Sequence, residues 1–308
     1  MYPRLLEIPL GGDLTITIYS YGFMVAVAIL FASWLTGREL DRLQKEGRFG
    51  TIRVPARGKP GKGPKTTTVR PSDLMGTITI IAAAMGVVGS KLFHILENFG
   101  RFMQDPFGMI FSTGGLTFYG GLICAGLSIA WYAHRKGIHV PTLADAIAPS
   151  LMIAYGIGRI GCHLAGDGDW GIVSNMALKP SWLPTWLWAE TYPHNILQVT
   201  LPQPGVYPTS IYEFLASVLL FAVLWSLRRH PYKAGWLFMV YLALNGLERL
   251  LIEQIRVNNT FDFFGLIVTQ AEVIATVLLL VGIVGAVILT RKRNASRGQS
   301  RTPAVKAS

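Results

Sequence analysis

The most regular feature of the chain is a series of long apolar stretches separated by shorter polar ones. Seven stretches approach the roughly 20 residues that cross the hydrocarbon core of a bilayer. They cover about residues 18–36, 73–96, 116–134, 142–164, 209–228, 235–256 and 269–290. Transmembrane strands would show shorter segments of alternating hydrophobicity instead. The pattern therefore predicts an all-α integral membrane protein with seven transmembrane helices.

The overall composition agrees with this prediction. Hydrophobic residues make up 51% of the 308 residues and charged residues only 15%, whereas soluble domains carry about 25% charged residues. A formal net charge of +11 would suggest nucleic-acid binding in a soluble protein. In a membrane protein the position of the charges is more informative than their sum, and we expect no nucleic-acid partner.

The lysines and arginines outside the seven stretches are distributed very unevenly. The 37–72 loop, the 135–141 loop, the 228–233 turn and the segment after residue 290 together hold 21 of them, and the opposite side holds three. Cytoplasmic loops carry the excess of positive charge. The N-terminus is therefore predicted to lie outside and the C-terminus in the cytoplasm, as an odd number of spans requires.

The polar connections suggest one domain with three distinct appendages. The seven-span domain would cover residues 1–293, and its 47–71 segment, rich in glycine, proline and cations, is predicted to be a flexible basic cytoplasmic loop. Residues 165–208 hold several tryptophans and tyrosines, which favour the headgroup layer, so this segment between spans four and five is predicted to lie at the outer membrane interface. Residues 294–308 are predicted to form a disordered cytoplasmic tail.

Four cations lie inside or at the end of a predicted span, where a charge is costly and indicates function. With the predicted orientation, Lys91, Arg159, Arg249 and Arg256 all lie in the outer half of the bilayer. Arg249 and Arg256 share one face of span six with Glu253, because the steps between these residues are four and three. Glu253 can pair with either arginine, and Glu213 and Glu248 are further candidates.

Two interpretations of this polar layer remain open. The charges could be interhelical ion pairs that hold the bundle together. Alternatively, they could bind an anion, because the planar guanidinium fork of arginine contacts two phosphate oxygens at once. The gathering of the charges toward one leaflet favours a phospholipid headgroup as that anion. No metal-ligand spacing surrounds the two cysteines, Cys124 and Cys162, and we expect no metal or other cofactor.

Several motifs, taken together, resemble the prolipoprotein diacylglyceryl transferases of bacterial inner membranes. The stretch "GRIGCHLAGDGDWG" at 158–171 is similar to the family signature G-R-x-G-N-F-x-N-x-E-x-x-G. "FYGGLI" at 118–123, "YPTSIYE" at 207–213 and "RLLIEQIR" at 249–256 resemble further family blocks, in the family order. Members of this family have seven spans with the N-terminus outside.

The resemblance implies an activity, its partners and a location. The expected reaction transfers the diacylglyceryl group of phosphatidylglycerol to the lipobox cysteine thiol in the signal peptide of a preprolipoprotein. A thioether forms and glycerol phosphate is released. The expected location is the bacterial inner membrane, among membrane lipids, with the active site toward the periplasmic leaflet. The alternatives are a non-enzymatic phospholipid or anion carrier and a catalytically silent relative on the same bundle.

The resemblance also implies roles for individual residues. Arg159 and Arg249 would bind the phosphate or stabilise it as it leaves, with Glu253 orienting Arg249 and Arg256 gating or supporting the pocket. The remaining expected substrate-binding residues come from the other motifs: Tyr21, Gly120, Gly121, Asp169, Tyr212 and Glu213.

The chain departs from the family pattern in ways that leave the catalytic base open. Many members carry a histidine where this chain has Tyr119, which we retain as a candidate catalytic residue. The first signature asparagine is Cys162 here. The signature segment also has one extra residue, so that either Asp167 or Asp169 can correspond to the family glutamate. The candidates for the base within reach are His163, His194 and these two aspartates, and the two histidines are preferred.

Overall fold

The computed structural model describes residues 1–11, 14–49, 52–55, 66–112, 117–263 and 266–291. Helices dominate this part of the chain. They are α1 (Ser20–Lys45), α2 (Met75–Glu97), α3 (Phe99–Phe102), α4 (Pro106–Phe111), α5 (Phe118–Arg135), α6 (Val140–Ala165), α7 (Thr209–Leu227), α8 (Trp236–Glu253) and α9 (Gln270–Arg291). The prediction of a helical protein is thereby confirmed.

Five of the helical segments are long and apolar enough to cross a membrane: Ser20–Lys45, Pro71–Glu97, Val140–Ala165, Thr209–Leu227 and Gln270–Thr290. They coincide with predicted spans one, two, four, five and seven. Helices α5 and α8 have 18 residues each and coincide with predicted spans three and six. The chain is therefore a multi-pass membrane protein of the helical class.

Three short antiparallel hairpins accompany the helices and were not predicted. They pair β1 (Arg4–Gly11) with β2 (Leu14–Tyr19), β3 (Ile52–Pro55) with β4 (Thr66–Val69), and β5 (Thr260–Phe263) with β6 (Leu266–Thr269). Each pairs two runs that include β-branched and other strand-forming residues. The first and third hairpins lead directly into α1 and α9.

Two predicted segments lie partly or wholly outside the described residues. In the basic 47–71 segment, β3 and β4 form a hairpin, and residues 50–51 and 56–65 lie outside the described residues. The predicted tail at 294–308 also lies outside them. Both assignments therefore stay predictions.

The chain divides into two compact units, and the division falls within α1 and α6. One unit comprises residues 33–143 and the other comprises residues 1–32 together with those from 144 onward. In the first unit α2 packs along α5 with very close backbone contact. A Cβ atom on Gly120 would lie 2.4 Å from Cβ of Phe93 and 2.6 Å from the carbonyl oxygen of Gly89. Only glycine permits these two helices to approach so closely.

The second unit is built around α6, α7, α8 and α9. Its fully buried apolar centre combines Ala148 and Met152 of α6 with Leu224 of α7 and Leu237 of α8. Helix α9 packs on α8 at glycines, since a Cβ on Gly282 would lie 2.4 Å from the backbone nitrogen of Ala243. This packing holds together the helices that carry the candidate site.

The segment between α6 and α7 belongs to the second unit and is mostly irregular. Two single 3-10 turns occur in it, at Met176–Leu178 and Thr185–Leu187. It is tied to the helices where the Gly171 amide donates to the Tyr207 carbonyl (2.8 Å) and the Ile172 amide to the Ile255 carbonyl (2.8 Å). The Trp182 side chain is 80% exposed. An exposed tryptophan suits a headgroup layer.

Candidate active site

The candidate site lies where α6 ends, α7 begins and α8 ends. Helix α6 stops at Ala165 because Gly166 follows with a positive φ of 61°, and its amide closes the last turn on the Cys162 carbonyl at 2.9 Å. This left-handed glycine is a common way to terminate a helix. Pro208 precedes α7 and cannot extend it backwards. Polar side chains at these three helix ends therefore face one another.

Glu213, one turn into α7, is the centre of the site. Its side chain is 0% exposed and contacts three arginines from two other elements. Nε of Arg159 lies 3.3 Å from Glu213 Oε2, and Nη1 of Arg249 lies 3.1 Å from Oε1. Nη1 of Arg256 donates to both oxygens, at 3.2 and 3.3 Å. The arginines predicted to meet in one place are thus joined by a single carboxylate.

Two further carboxylates complete the ion-pair network. Asp169, in the loop after α6, forms ion pairs with both Arg159 and Arg256. Glu253 Oε2 lies 3.1 Å from Arg249 Nη2, one helical turn away on α8. We call these six residues the arginine–carboxylate network: Arg159, Asp169, Glu213, Arg249, Glu253 and Arg256.

The network is electrically balanced, as the ion-pair interpretation of the polar layer requires. Three guanidinium groups face three carboxylates, so the formal net charge of the network is zero. The anion-binding interpretation would leave positive charge for a phosphate to neutralise, whereas carboxylates already compensate these arginines. Burial explains the difference, since an unpaired charge in a low-dielectric environment costs several kcal/mol. Glu248, another predicted partner, is buried but makes no ion pair in the described part of the chain.

Sequence reasoning missed Tyr155, which holds two members of the network. Its hydroxyl donates to Glu213 Oε1 at 2.8 Å, and the Arg159 guanidinium carbon lies 4.9 Å from the centre of its ring. Tyr155 precedes Arg159 by four residues, so both lie on one face of α6. That spacing was a signal available in the sequence.

Glu253 is also supported by side chains that the sequence analysis did not identify. The Thr269 hydroxyl, at the end of β6, donates to Glu253 Oε1 at 2.7 Å, and the Asn258 amide donates to the same oxygen at 2.5 Å. These bonds orient the carboxylate that contacts Arg249. No periodic pattern connects these positions, since they come from the third hairpin and the turn before it.

Asp167 lies beside the network but is arranged differently from Asp169. One carboxylate oxygen of each aspartate and the Cys162 sulfur lie within 4.8 Å of one another. Asp167 Oδ1 accepts a hydrogen bond from the Asp169 amide at 3.3 Å. Burial raises the pKa of the Asp167 carboxyl above its ordinary value. A thiol and two carboxylates can ligate a metal, but Asp169 already neutralises two arginines, so we assign no metal to this group.

The two preferred histidines do not contact the arginines in the described structure. His163 Nδ1 lies 3.3 Å from the Tyr192 hydroxyl and 3.4 Å from the Ser210 hydroxyl, and its ring meets Tyr192 edge-on. Burial raises the pKa of Tyr192, so this phenol stays neutral. His194 is exposed and has a positive φ of 60°.

The other predicted substrate-binding residues lie in several places. Tyr21 opens α1 and is 47% exposed, and its Cα would lie 3.3 Å from a Cβ on Gly161 of the signature segment. The Tyr212 hydroxyl donates to the Leu187 carbonyl at 2.7 Å and so holds the segment after α6 rather than an arginine. Tyr119, Gly120 and Gly121 lie in the first turn of α5, in the other unit, where the two glycines pack on α2.

Comparison with known proteins identifies the family. The family described as prolipoprotein diacylglyceryl transferase matches residues 10–288. A phosphatidylglycerol–prolipoprotein diacylglyceryl transferase of Aeromonas hydrophila is 30% identical over 267 residues, covering 85% of this chain and 82% of the relative. The proteins of that name from Vibrio campbellii and Enterococcus faecalis are 30% and 27% identical, covering 85% and 91% of this chain and 83% and 88% of themselves. This chain therefore belongs to the prolipoprotein diacylglyceryl transferase family.

Proposed function

We propose that this protein transfers the diacylglyceryl group of phosphatidylglycerol to the lipobox cysteine of preprolipoproteins. The observation that carries the proposal is the arginine–carboxylate network, which collects three guanidinium groups in a chain of this family. The names of the relatives contain both phosphatidylglycerol and prolipoprotein. Membership of a transferase family favours this function over a lipid or anion carrier.

The reaction exchanges one bond for another at a glycerol carbon of the donor lipid. The thiolate sulfur of the acceptor cysteine attacks that carbon, the carbon–oxygen bond to phosphate breaks, and a thioether forms. The electron pair of the broken bond stays on the phosphate, so glycerol phosphate leaves with an additional negative charge. The thiol proton passes to a base on the enzyme or to solvent. The hardest step is the departure of the charged phosphate.

Arg159, Arg249 and Arg256 are the groups we assign to the phosphate. Preorganised cations stabilise charge that develops in the transition state, and they act most strongly where water is excluded. Glu213 and Glu253 hold the guanidinium groups in position before the substrate arrives. Because the ion pairs fix the arginine geometry, little reorganisation is needed during the reaction. Tyr155 and Tyr21 are assigned to the support and lining of the same pocket.

Asp167 is the base candidate that the geometry supports best. It lies next to Cys162 and Asp169, and burial raises its pKa, which moves a carboxylate toward the range in which general bases work near neutral pH. His163 instead faces Tyr192 and Ser210. A thiol with an ordinary pKa near 8.5 needs only a modest base.

We further propose seven transmembrane helices with the N-terminus outside. Helices α5 and α8 would add spans three and six to the five apolar helices. The distribution of 21 lysines and arginines against three supports a cytoplasmic location for the loops that carry the majority. The arginine–carboxylate network would then lie toward the periplasmic leaflet of the bacterial inner membrane.

One reconstituted assay tests the proposed function. Purified protein is mixed with phosphatidylglycerol and a peptide carrying a lipobox cysteine, and mass spectrometry follows the diacylglyceryl adduct. We expect the adduct on the cysteine peptide and none on a matched Cys→Ser peptide. Arg159→Ala and Arg249→Ala should each lower the rate by about 100-fold or more. An absence of adduct from folded wild-type protein would refute the transferase proposal.

A further inference from the structure

Asp169 differs from the other two carboxylates of the arginine–carboxylate network. Its side chain is 26% exposed, whereas those of Glu213 and Glu253 are 0% and 1% exposed. It comes from a loop, whereas they are held within helices. Asp169 therefore has the most exposed side chain of the network.

The Asp169 carboxylate bridges two guanidinium groups, those of Arg159 and Arg256. A phosphate oxyanion binds arginines in the same way, with separate oxygens facing separate guanidinium groups. The carboxylate and a phosphate would therefore compete for the same two cations. Neither Glu213 nor Glu253 could be displaced as easily, because each is buried and held by further hydrogen bonds.

The backbone of Asp169 is anchored while its side chain is partly exposed. The Thr209 hydroxyl donates to the Asp169 carbonyl at 2.9 Å, so a rotation about the side-chain bonds alone would release the arginines. The preceding Gly168 has a φ of 102°, a conformation that side chains rarely adopt. It fixes the direction in which the chain enters Asp169.

A phosphodiester carries the same charge as the carboxylate that it would replace. With Asp169 in place the formal net charge is zero, and with its carboxylate withdrawn three arginines face two carboxylates, leaving one positive charge. The phosphodiester of a phospholipid headgroup such as phosphatidylglycerol carries one negative charge. Exchange of the Asp169 carboxylate for that phosphate therefore leaves the total charge unchanged in a site where unpaired charge is costly.

We propose that Asp169 is a specificity-determining residue that competes with the donor's phosphodiester for Arg159 and Arg256. The inference rests on the proposed function and names a step within it. A lipid without a phosphodiester cannot replace the carboxylate, because both guanidinium groups would lose a partner. Asp169 thereby restricts the site to lipids that carry a phosphodiester and returns to the arginines when the phosphate departs.

The test compares two neighbouring aspartates that carry the same charge. Isothermal titration measures binding of short-chain phosphatidylglycerol, and separately of inorganic phosphate, to purified protein in non-ionic detergent. Asp167→Asn removes one charge without removing an arginine contact, so it reports the general effect of the electric field. Asp169→Asn removes one charge and also the contacts with Arg159 and Arg256. This variant should bind phosphatidylglycerol about 10-fold more tightly than the Asp167→Asn variant. Asp169→Glu keeps a carboxylate and should stay closer to wild type.

Each result decides the proposal. Equal gains from the two Asn variants, or no gain from Asp169→Asn, would overturn it. A gain for inorganic phosphate alone would overturn the assignment to the lipid headgroup. If Asp169→Asn does not fold, Asp169→Ser is titrated in its place with the same expectation. Wild-type turnover is measured separately, so a failed transferase assay would refute the proposed function without altering this binding comparison.

Discussion

A single buried carboxylate contacts all three arginines of the candidate site. Glu213 has no exposed side-chain surface, and it contacts the guanidinium groups of Arg159, Arg249 and Arg256. Removing one partner from a buried ion pair leaves the other charge uncompensated, which typically costs about 3 to 5 kcal/mol. Here three cations would lose a partner at once. Both the stability and the activity of the protein should therefore depend on Glu213.

The first prediction concerns Glu213→Gln. This change keeps the shape of the side chain and removes its charge, so we expect a loss of about 3 to 5 kcal/mol in stability and a transfer rate at least about 100-fold lower. Thermal unfolding in detergent and the reconstituted transfer assay measure the two effects.

Glu7→Gln is the matched control for this change. Glu7 pairs with Arg4 at 2.9 Å, but the two side chains are 49% and 61% exposed. An exposed pair contributes about 0 to 1 kcal/mol, so Glu7→Gln should leave unfolding and turnover near wild type. Similar losses in both variants would show that burial of the Glu213 pairs is unimportant.

The second prediction concerns the pH dependence of stability at Asp167. Burial raises the pKa of this carboxyl above its ordinary value. The folded protein then binds this proton more tightly than the unfolded chain does, so the contribution of this carboxyl to stability falls as the pH rises from about 4 through the raised pKa. Asp167→Asn cannot ionise and should gain stability relative to wild type over that interval. Thermal unfolding at several pH values measures the difference, and curves that stay parallel would contradict the prediction.

Part of the site could be predicted from the spacing of single residues in the sequence. The spacing of Arg249, Glu253 and Arg256 predicted one charged helix face, and α8 with the residues after it presents these side chains to Glu213 and its neighbours. The pairing of Asp169 with Arg159 and Arg256 could not be predicted, because it depends on the geometry of the loop that contains Gly166 and Gly168. Helical periodicity carries no information about such a loop.

At the scale of secondary-structure elements, the packing of α2 on α5 depends on the absence of side chains at their interface. Gly120 faces Phe93 and the Gly89 backbone at distances that a real Cβ would not tolerate. Gly126, two turns further along the same helix, has no neighbouring heavy atom within 4 Å of a Cβ placed on it. The two glycines therefore differ in environment within one element.

The third prediction compares Gly120→Ala with Gly126→Ala. The first should lower stability by about 1 to 3 kcal/mol, because the added methyl group overpacks the helix interface. The second should be neutral or stabilising by up to about 1 kcal/mol, because alanine favours the helix. Thermal unfolding of both purified variants provides the comparison. Equal stability of the two would exclude close helix packing as the role of Gly120.

Most helix boundaries were predicted to within about three residues, but α1 runs to Lys45, well beyond the predicted end at residue 36, and the hairpins were not predicted. The apolar stretches predicted spans at 142–164 and 209–228, and the helices run over Val140–Ala165 and Thr209–Leu227. Hydrocarbon thickness sets the length of such stretches, which makes them easy to recognise. The hairpins are too short for a strong periodic signal, and β5 and β6 pair only four residues each.

At the scale of the whole molecule, the proposed orientation provides the fourth prediction. An impermeant thiol reagent applied to intact spheroplasts should label Ser181→Cys, which lies in the exposed segment after α6, and should not label Arg229→Cys, which follows α7. Opening the membrane should make Arg229→Cys reactive. Labelling of Arg229→Cys before opening would contradict an outer N-terminus and a cytoplasmic C-terminus.

The native cysteines determine the background of this measurement. Cys162 is buried and Cys124 is partly buried. Wild-type protein labelled before and after opening the membrane gives their contribution, and subtraction of that signal isolates each introduced thiol.

The shared contact at Glu213 links assembly of the bundle to competence for chemistry. A chain whose α8 has inserted without docking against α6 and α7 would leave a carboxylate and its arginines unmatched in hydrocarbon, and each such charge is expensive there. A half-assembled intermediate is therefore both inactive and high in free energy. Membrane proteases that recognise poorly packed helices would remove inactive molecules without having to sense activity itself.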